Sequence, residues 1–139
     1  MKEQFPVTVR VATVIEQEGQ TERFSFEEAG QLVELANGQR YLRYVEHQEG
    51  ASTPVQLRVG DDLQLTRSGE VKTRLTFSKE EETTSRYRTP YGVIPLTVTT
   101  DELVFDLDWP KKGTVHLRYR LRAGGQEVGR YQLELQFEA

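Results

Sequence analysis

Cysteine is absent from the 139 residues, so the chain can form neither disulfides nor thiolate metal sites. Histidine occurs only at His47 and His116, whereas a zinc site needs roughly three or four ligands, usually with some of them close in sequence. Phosphate-binding glycine loops and the HExxH and GxSxG motifs are also missing. We therefore expect no metal, no cofactor and no catalytic residues, and these absences favour a protein that is not an enzyme.

Long apolar segments are missing too. No run approaches the roughly 20 residues that a transmembrane helix requires. Residues 1–6 contain no continuous apolar region of the kind found in signal peptides. The net charge of −4 lacks the positive excess that is typical of nucleic-acid-binding proteins. The sequence therefore predicts a cytoplasmic monomer or homodimer that binds neither membranes nor nucleic acid.

What the sequence does contain is an alternation of apolar and polar residues with a period of two. Successive side chains of a strand point to opposite faces, so each such run predicts a strand with one apolar face. No segment shows a sustained apolar pattern at the helical spacing, and we expect little helix. Clear examples are Val7, Val9 and Val11, then Leu103, Phe105 and Leu107, and then Val115, Leu117, Tyr119 and Leu121.

The number and spacing of these runs predict an all-β fold. About ten strands joined by tight turns are typical of a barrel or a sandwich. We favour a single antiparallel barrel, closed or nearly closed, of about 8–10 strands, because closure removes exposed sheet edges. It would form one domain over residues 1–139.

Two turn sequences predict how neighbouring strands pair. Asn37-Gly38 is typical of a two-residue type I′ hairpin, which would place Val33 opposite Leu42. For Gly124-Gly125, a two-residue loop would mix the apolar and polar faces. A three-residue loop over 123–125 places Leu117 opposite Tyr131 and keeps the faces separate. The segment 67–69 predicts a similar loop, with Leu65 opposite Val71 and Gly69 in the left-handed region.

Charged groups elsewhere are interpreted as solvent-exposed surface. Arg118, Arg120 and Arg122 share one face of a strand, and we expect them to pair with glutamates of the following strand, namely Glu127, Glu134 and Glu138. Asp106 and Asp108 also share a face, but an outward polar face explains them more simply than a cation site does.

The segment 85–92 combines aromatic and cationic residues. If the strand is regular, Tyr87 and Tyr91 share one face, and Arg86 and Arg88 share the other. Tyrosines facing the interior of a barrel would either line a pocket or pack in the core. Which face points inward is left open, and interior arginines would suggest an anionic ligand.

Several residues and their spacing form a recognisable pattern: Arg67 to Lys72, Leu75, Phe77, Tyr87, Thr89-Pro90-Tyr91-Gly92, Thr99-Thr100 and Tyr119. With these residues the sequence resembles, over nearly its whole length, the YwiB-like bacterial family, which has no assigned function. The resemblance implies a cytoplasmic, calycin-like barrel of the ten-strand type, related in architecture to the lipocalins. It brings no reaction, cofactor or catalytic residues, and the Gly-x-Trp signature of true lipocalins is missing.

Two hypotheses about function follow. The first is that the barrel binds a small apolar or amphipathic ligand, because barrels of this size can hold one. The second is a structural or protein-interaction module with a filled core and no ligand. The residues that we expect to line a ligand site, inside the barrel or at its mouth, are Arg67, Tyr87, Arg88, Tyr91 and Tyr119.

Overall fold

The computed structural model describes residues 2–48, 50–69 and 72–139, without the side chains of Gln48 and Thr89. Within these ranges the chain forms strands and turns, and it contains no helix of the length and apolarity needed to cross a membrane. The ten strands are β1 (Glu3–Gln17), β2 (Gln20–Glu34), β3 (Arg40–Gln48), β4 (Ala51–Val59), β5 (Leu63–Ser68), β6 (Lys72–Phe77), β7 (Thr83–Thr89), β8 (Gly92–Asp108), β9 (Lys112–Ala123) and β10 (Gln126–Glu138).

All ten strands belong to one sheet, in the order β6-β5-β4-β3-β2-β1-β10-β9-β8-β7. Every neighbouring pair is antiparallel, and the first and last strands of the chain pair with each other. The sheet curls into a nearly closed barrel, which confirms the fold class expected from the alternation.

The barrel closes at a seam between β6 and β7, the two end strands of the sheet. In the part of the chain that the structure describes, no backbone ladder joins these strands. Instead, Thr83 Oγ1 donates a hydrogen bond to the carbonyl oxygen of Thr76, and Ser85 Oγ donates one to the carbonyl oxygen of Arg74. Side-chain hydroxyls therefore replace backbone amides as the donors that close the barrel.

The interior is filled by the apolar phase of the strands. Leu103 and Leu133 both face Leu117 across neighbouring ladders, and Leu65 faces Leu57 and Leu75 in the same way. At one end of the barrel, the Trp109 ring packs edge-on against Phe137 with 6.2 Å between ring centroids. The largest fully buried side chains are Phe77, Leu32, Leu57, Leu63, Leu103, Leu117 and Leu135.

The hairpin between β2 and β3 differs from its prediction by one residue. Leu32, not Val33, lies opposite Leu42. Gly38 has a positive φ of 87°, but Asn37 does not, so the turn is not type I′. The Leu35 carbonyl accepts from the Gly38 amide, and the Leu35 amide donates to the Gln39 carbonyl. This pattern is a type I turn followed by a left-handed glycine, which makes the loop one residue longer.

The hairpin between β9 and β10 was also predicted wrongly. Gly124 and Gly125 both have positive φ and form a two-residue loop, not the predicted three-residue loop. The two-residue loop alone would set Leu117 opposite Gln132. A bulge between Glu127 and Gly129 then shifts the register by one residue, so Leu117 faces Leu133 and not the predicted Tyr131. The apolar and polar faces are separate, as the alternation requires. A bulge in β10 produces this separation, and the loop is not lengthened.

The predicted loop over 67–69 is likewise wrong. Arg67 and Ser68 remain in β5, and Leu65 pairs with Leu75. Gly69 does not adopt a left-handed conformation. The expected partner of Leu65, Val71, lies outside the described residues.

Close packing between strands predicts an effect of substituting Gly30. A Cβ atom at this position would lie 2.7 Å from Val9 Cγ2 and 2.8 Å from the Arg43 carbonyl oxygen. Because one of these neighbours is backbone, we expect Gly30→Ala to lower the free energy of unfolding by about 1–3 kcal/mol. Gly60→Ala is the control, since its Cβ would have no contact closer than 3.8 Å. Equal urea-unfolding midpoints for the two variants would contradict this explanation.

The seam generates a second prediction. Ser85→Ala removes a donor from a buried site and leaves the Arg74 carbonyl without that hydrogen bond. We expect a loss of about 0.5–1.5 kcal/mol in the free energy of unfolding, which is the usual net contribution of one hydrogen bond. Ser25→Ala, at an exposed position of β2, should change stability by less than about 0.5 kcal/mol. Thermal unfolding of both variants checks the difference.

Candidate functional site

A cavity of about 110 Å³ lies at the end of the barrel away from Trp109. Strands β1, β2, β3, β5, β9 and β10 all contribute to its walls. Five of the twelve described lining residues are aromatic, and the only charged side chains among the twelve are Glu46 and Arg67. The lining residues are Thr13, Ile15, Phe24, Phe26, Tyr44, Glu46, Leu65, Arg67, Tyr119, Tyr131, Gln132 and Leu133.

The cavity opens where β3 separates from β2. The β1–β2 ladder continues to its tip, at Gln17 opposite Gln20, but the β2–β3 ladder ends at Gly30 opposite Tyr44. Residues 20–29 of β2 therefore pair with β1 alone. We call this end of the barrel the mouth, and Phe24, 39 % exposed, lies at its rim.

Glu46 and Arg67 form an ion pair inside the mouth. Each continues the inward-facing phase of its strand, Glu46 after Leu42 and Tyr44, and Arg67 after Leu63 and Leu65. Arg67 Nη2 donates a hydrogen bond to Glu46 Oε2. The Glu46 side chain is only 9 % exposed, whereas that of Arg67 is 46 % exposed. The carboxylate is thus fixed within the protein, and the guanidinium lies partly in solvent.

Three tyrosines surround this pair. The rings of Tyr119 and Tyr131 are stacked, with centroids 4.9 Å apart and an interplanar angle of 10°. The Tyr131 hydroxyl accepts a hydrogen bond of 2.8 Å from Gln17 Nε2. The hydroxyls of Tyr44 and Tyr119 make no hydrogen bond to any residue in the described ranges. The cavity therefore contains two phenolic groups whose hydrogen-bonding capacity no described residue uses.

Burial changes the ionisation of both tyrosines. Removal from water raises the pKa of Tyr44 well above its usual range, and the nearby Glu46 carboxylate raises it further, while Arg67 opposes the shift. Burial likewise raises the pKa of Tyr119. Both groups are consequently neutral hydrogen-bond donors over the physiological pH range.

The structure brings together two of the five residues expected to line a ligand site, Arg67 and Tyr119. Tyr87 is partly buried and packs against the core without lining the cavity. Arg88 is exposed on the outer face of the barrel, as Arg86 is, which settles the face that the alternation left open. Tyr91 lies in the turn between β7 and β8 and is 99 % exposed.

The sequence reasoning missed Tyr44, Glu46 and Tyr131. A usable signal was present in β3, where Glu46 follows Leu42 and Tyr44 in the inward phase. A charged residue at an interior position needs a partner, and Arg67 at the equivalent end of β5 has the opposite charge. Matching two such violations of the apolar phase would have located the pair.

The other charged candidates are on the outer surface. The three arginines of β9 form ion pairs, but not with the predicted glutamates of β10. Arg118 pairs with Glu102, Arg120 with Asp101 and Arg122 with Glu82. The bulge in β8 between Thr100 and Glu102 brings the acidic groups of Asp101 and Glu102 beside the arginines. Asp106 and Asp108 border a shallow external depression that also contains Lys112. No group of three metal-ligating residues occurs in the described ranges.

Ten antiparallel strands around one apolar core, with a polar and aromatic cavity at one end, define an antiparallel β-barrel. The chain belongs to the DUF1934 family, a domain of unknown function, whose model matches residues 9–135. It is similar to the uncharacterized beta-barrel protein YwiB of Bacillus subtilis (strain 168), with 29 % identity over 99 % of this chain and 96 % of that protein.

Comparison with a solved structure agrees with this family assignment. The crystal structure of the ywiB protein from Bacillus subtilis superposes with a TM-score of 0.81 at 25 % identity, and the match covers 98 % of this chain and 92 % of that one. The resemblance to the YwiB-like family is thereby confirmed. The relationship to calycins stays a prediction.

The shifted tyrosines predict a loss of stability in alkali. A group whose pKa is higher in the folded protein adds stability below its unfolded-state pKa, near 10, and that stability is lost as the pH rises. Above about pH 10, each tyrosine should lower the free energy of unfolding by up to about 1.4 kcal/mol per pH unit. Tyr44→Phe and Tyr119→Phe should each make the decline shallower. Urea unfolding between pH 9 and 11.5 measures the slope, and an unchanged slope in both variants would contradict the assignment.

Proposed function

We propose that this protein binds a small amphipathic molecule at the mouth of the barrel. The observation that carries the proposal is the pair of hydroxyls, on Tyr44 and Tyr119, that border the cavity without a hydrogen bond to the described residues. Both hydroxyl oxygens can be reached by water, since neither is among the fully buried polar atoms without a partner in the described residues. A ligand whose polar end enters the cavity would replace that water as the hydrogen-bond partner.

The size of the cavity limits what enters it. Ligand pockets usually measure roughly 300–1,000 Å³, whereas this cavity measures about 110 Å³. At roughly 30 Å³ per water molecule, it has room for about four groups of that size. We therefore expect it to accept the polar end of a ligand, while the apolar remainder lies against Ile15, Phe24 and Phe26, beside the open edge of β2.

A second candidate function is supported by a different surface. Three large apolar side chains on the β7–β8 hairpin are exposed, with Tyr91 at 99 %, Val93 at 55 % and Ile94 at 42 %. Exposed apolar patches often mark protein-interaction sites. Val93 and Ile94 are successive residues of β8 and point to opposite faces, so with Tyr91 they expose apolar surface on both sides of the hairpin. This exposure supports the alternative of an interaction module that needs no ligand.

Two measurements test ligand binding. Native mass spectrometry of gently purified protein should detect a bound small molecule. An NMR titration with 1-propanol, a minimal amphipathic probe, should shift amide signals of residues around the mouth. Tyr44→Phe and Tyr119→Phe should each weaken 1-propanol binding by about 2- to 10-fold, because each removes one neutral hydrogen bond of about 0.5–1.5 kcal/mol.

Tyr41→Phe is the matched control, because Tyr41 lies on the same strand as Tyr44 but its hydroxyl bonds to Gln39 at the surface. This variant should bind 1-propanol as the unmodified protein does. The proposal is overturned if no small molecule copurifies and 1-propanol shifts no signal near the mouth.

A further inference from the structure

We infer that the polar end of the ligand is an ammonium group, which exchanges with the Arg67 guanidinium on the Glu46 carboxylate. This inference rests on the proposed ligand site at the mouth. It goes further by naming the charge and the chemical class of the group that the cavity accepts.

The two members of the ion pair are not equivalent. The Glu46 side chain is only 9 % exposed to solvent, whereas the Arg67 side chain is 46 % exposed. Arg67 can therefore move outward and remain hydrated, but Glu46 cannot. A buried carboxylate without a cation is unfavourable, so Arg67 can leave only when another cation takes its place.

The carboxylate has capacity for a second donor. Arg67 Nη2 occupies Oε2, and no residue in the described ranges donates a hydrogen bond to Oε1. An ionised carboxylate accepts about four hydrogen bonds. An ammonium group entering the cavity would thus first bind Oε1 and then replace Arg67 at Oε2.

The remaining walls also suit a cation. Five aromatic rings line the cavity, those of Phe24, Phe26, Tyr44, Tyr119 and Tyr131. The faces of aromatic rings carry partial negative charge, and they attract ammonium groups within about 6 Å. The hydroxyl oxygens of Tyr44 and Tyr119 can accept hydrogen bonds from an ammonium group, since each hydroxyl can rotate its hydrogen away.

An anionic ligand fits the same site poorly. Inside the cavity it would face the buried Glu46 carboxylate, and the only cation among the described lining residues is Arg67, which Glu46 already neutralises. An anion would have to bind Arg67 from the solvent side. Ion pairs in such exposed positions contribute little to binding.

Three probes of nearly equal size separate these cases: n-propylammonium, 1-propanol and propionate. We expect n-propylammonium to bind at least tenfold more tightly than 1-propanol, and propionate to bind most weakly, in NMR titrations of the full chain at low ionic strength. The Arg67 Nε–H signal should move when n-propylammonium is added, since the guanidinium is displaced, and should stay in place with 1-propanol.

Two substitutions should act in opposite directions. Glu46→Gln should abolish the preference, so that n-propylammonium and 1-propanol bind equally. Arg67→Gln should tighten n-propylammonium binding several-fold, because it removes the competing cation. Glu27→Gln is the control for charge alone, since Glu27 belongs to an external ion pair with Arg10 in which both side chains are 58 % exposed.

Each outcome is decisive. Preference for propionate, weaker n-propylammonium binding by Arg67→Gln, or an unchanged Arg67 signal in the unmodified protein would overturn the ammonium inference. Binding of 1-propanol at the mouth would still support the proposed function in that case. If Arg67→Gln does not fold, the Arg67 signal and the three-probe comparison in the unmodified protein decide the question by themselves.

Discussion

The structure depends on one constraint, which is that a single apolar interior is shared by all ten strands of a curled sheet. Each strand contributes to it only if its apolar residues stay in phase with those of both neighbours. Where the loops break that phase, the backbone restores it. The bulge between Glu127 and Gly129 does so in β10, and the one between Thr100 and Glu102 does so in β8. Irregularities of the sheet are therefore consequences of keeping the core continuous.

The mouth forms where the inward-facing positions of the strands are no longer apolar. The inward phase of β3 passes from Leu42 through Tyr44 to Glu46, and that of β5 passes from Leu65 to Arg67. The alternation continues there, but the residues become polar. The two strands lie on either side of β4, where Val55 pairs with both Tyr44 and Arg67. Arg67 is therefore level with Tyr44, and its side chain reaches Glu46 one inward position further along β3. The polar cavity thus occupies the place where the apolar core ends.

Much of the fold can be predicted from the sequence, because alternation with a period of two fixes which residues face inward. It does not fix the register. A longer loop and a short loop with a bulge satisfy the same face requirement, which is why the partner of Leu117 was assigned wrongly. The site is less predictable still. Arg67 and Tyr119 were recognised as individual residues, but Glu46 becomes meaningful only when strand order places it beside Arg67.

The seam between β6 and β7 makes the wall of the barrel unequal around its circumference. Elsewhere, neighbouring strands are joined by ladders of repeated amide–carbonyl bonds, whereas here a few hydroxyl groups provide the connection. Opening this junction breaks fewer backbone hydrogen bonds than separating any two neighbouring strands of the sheet. Thermal fluctuation will part the barrel along this line first, so that β6 and β7 exchange their amide hydrogens at lower energetic cost than β1 and β10 do.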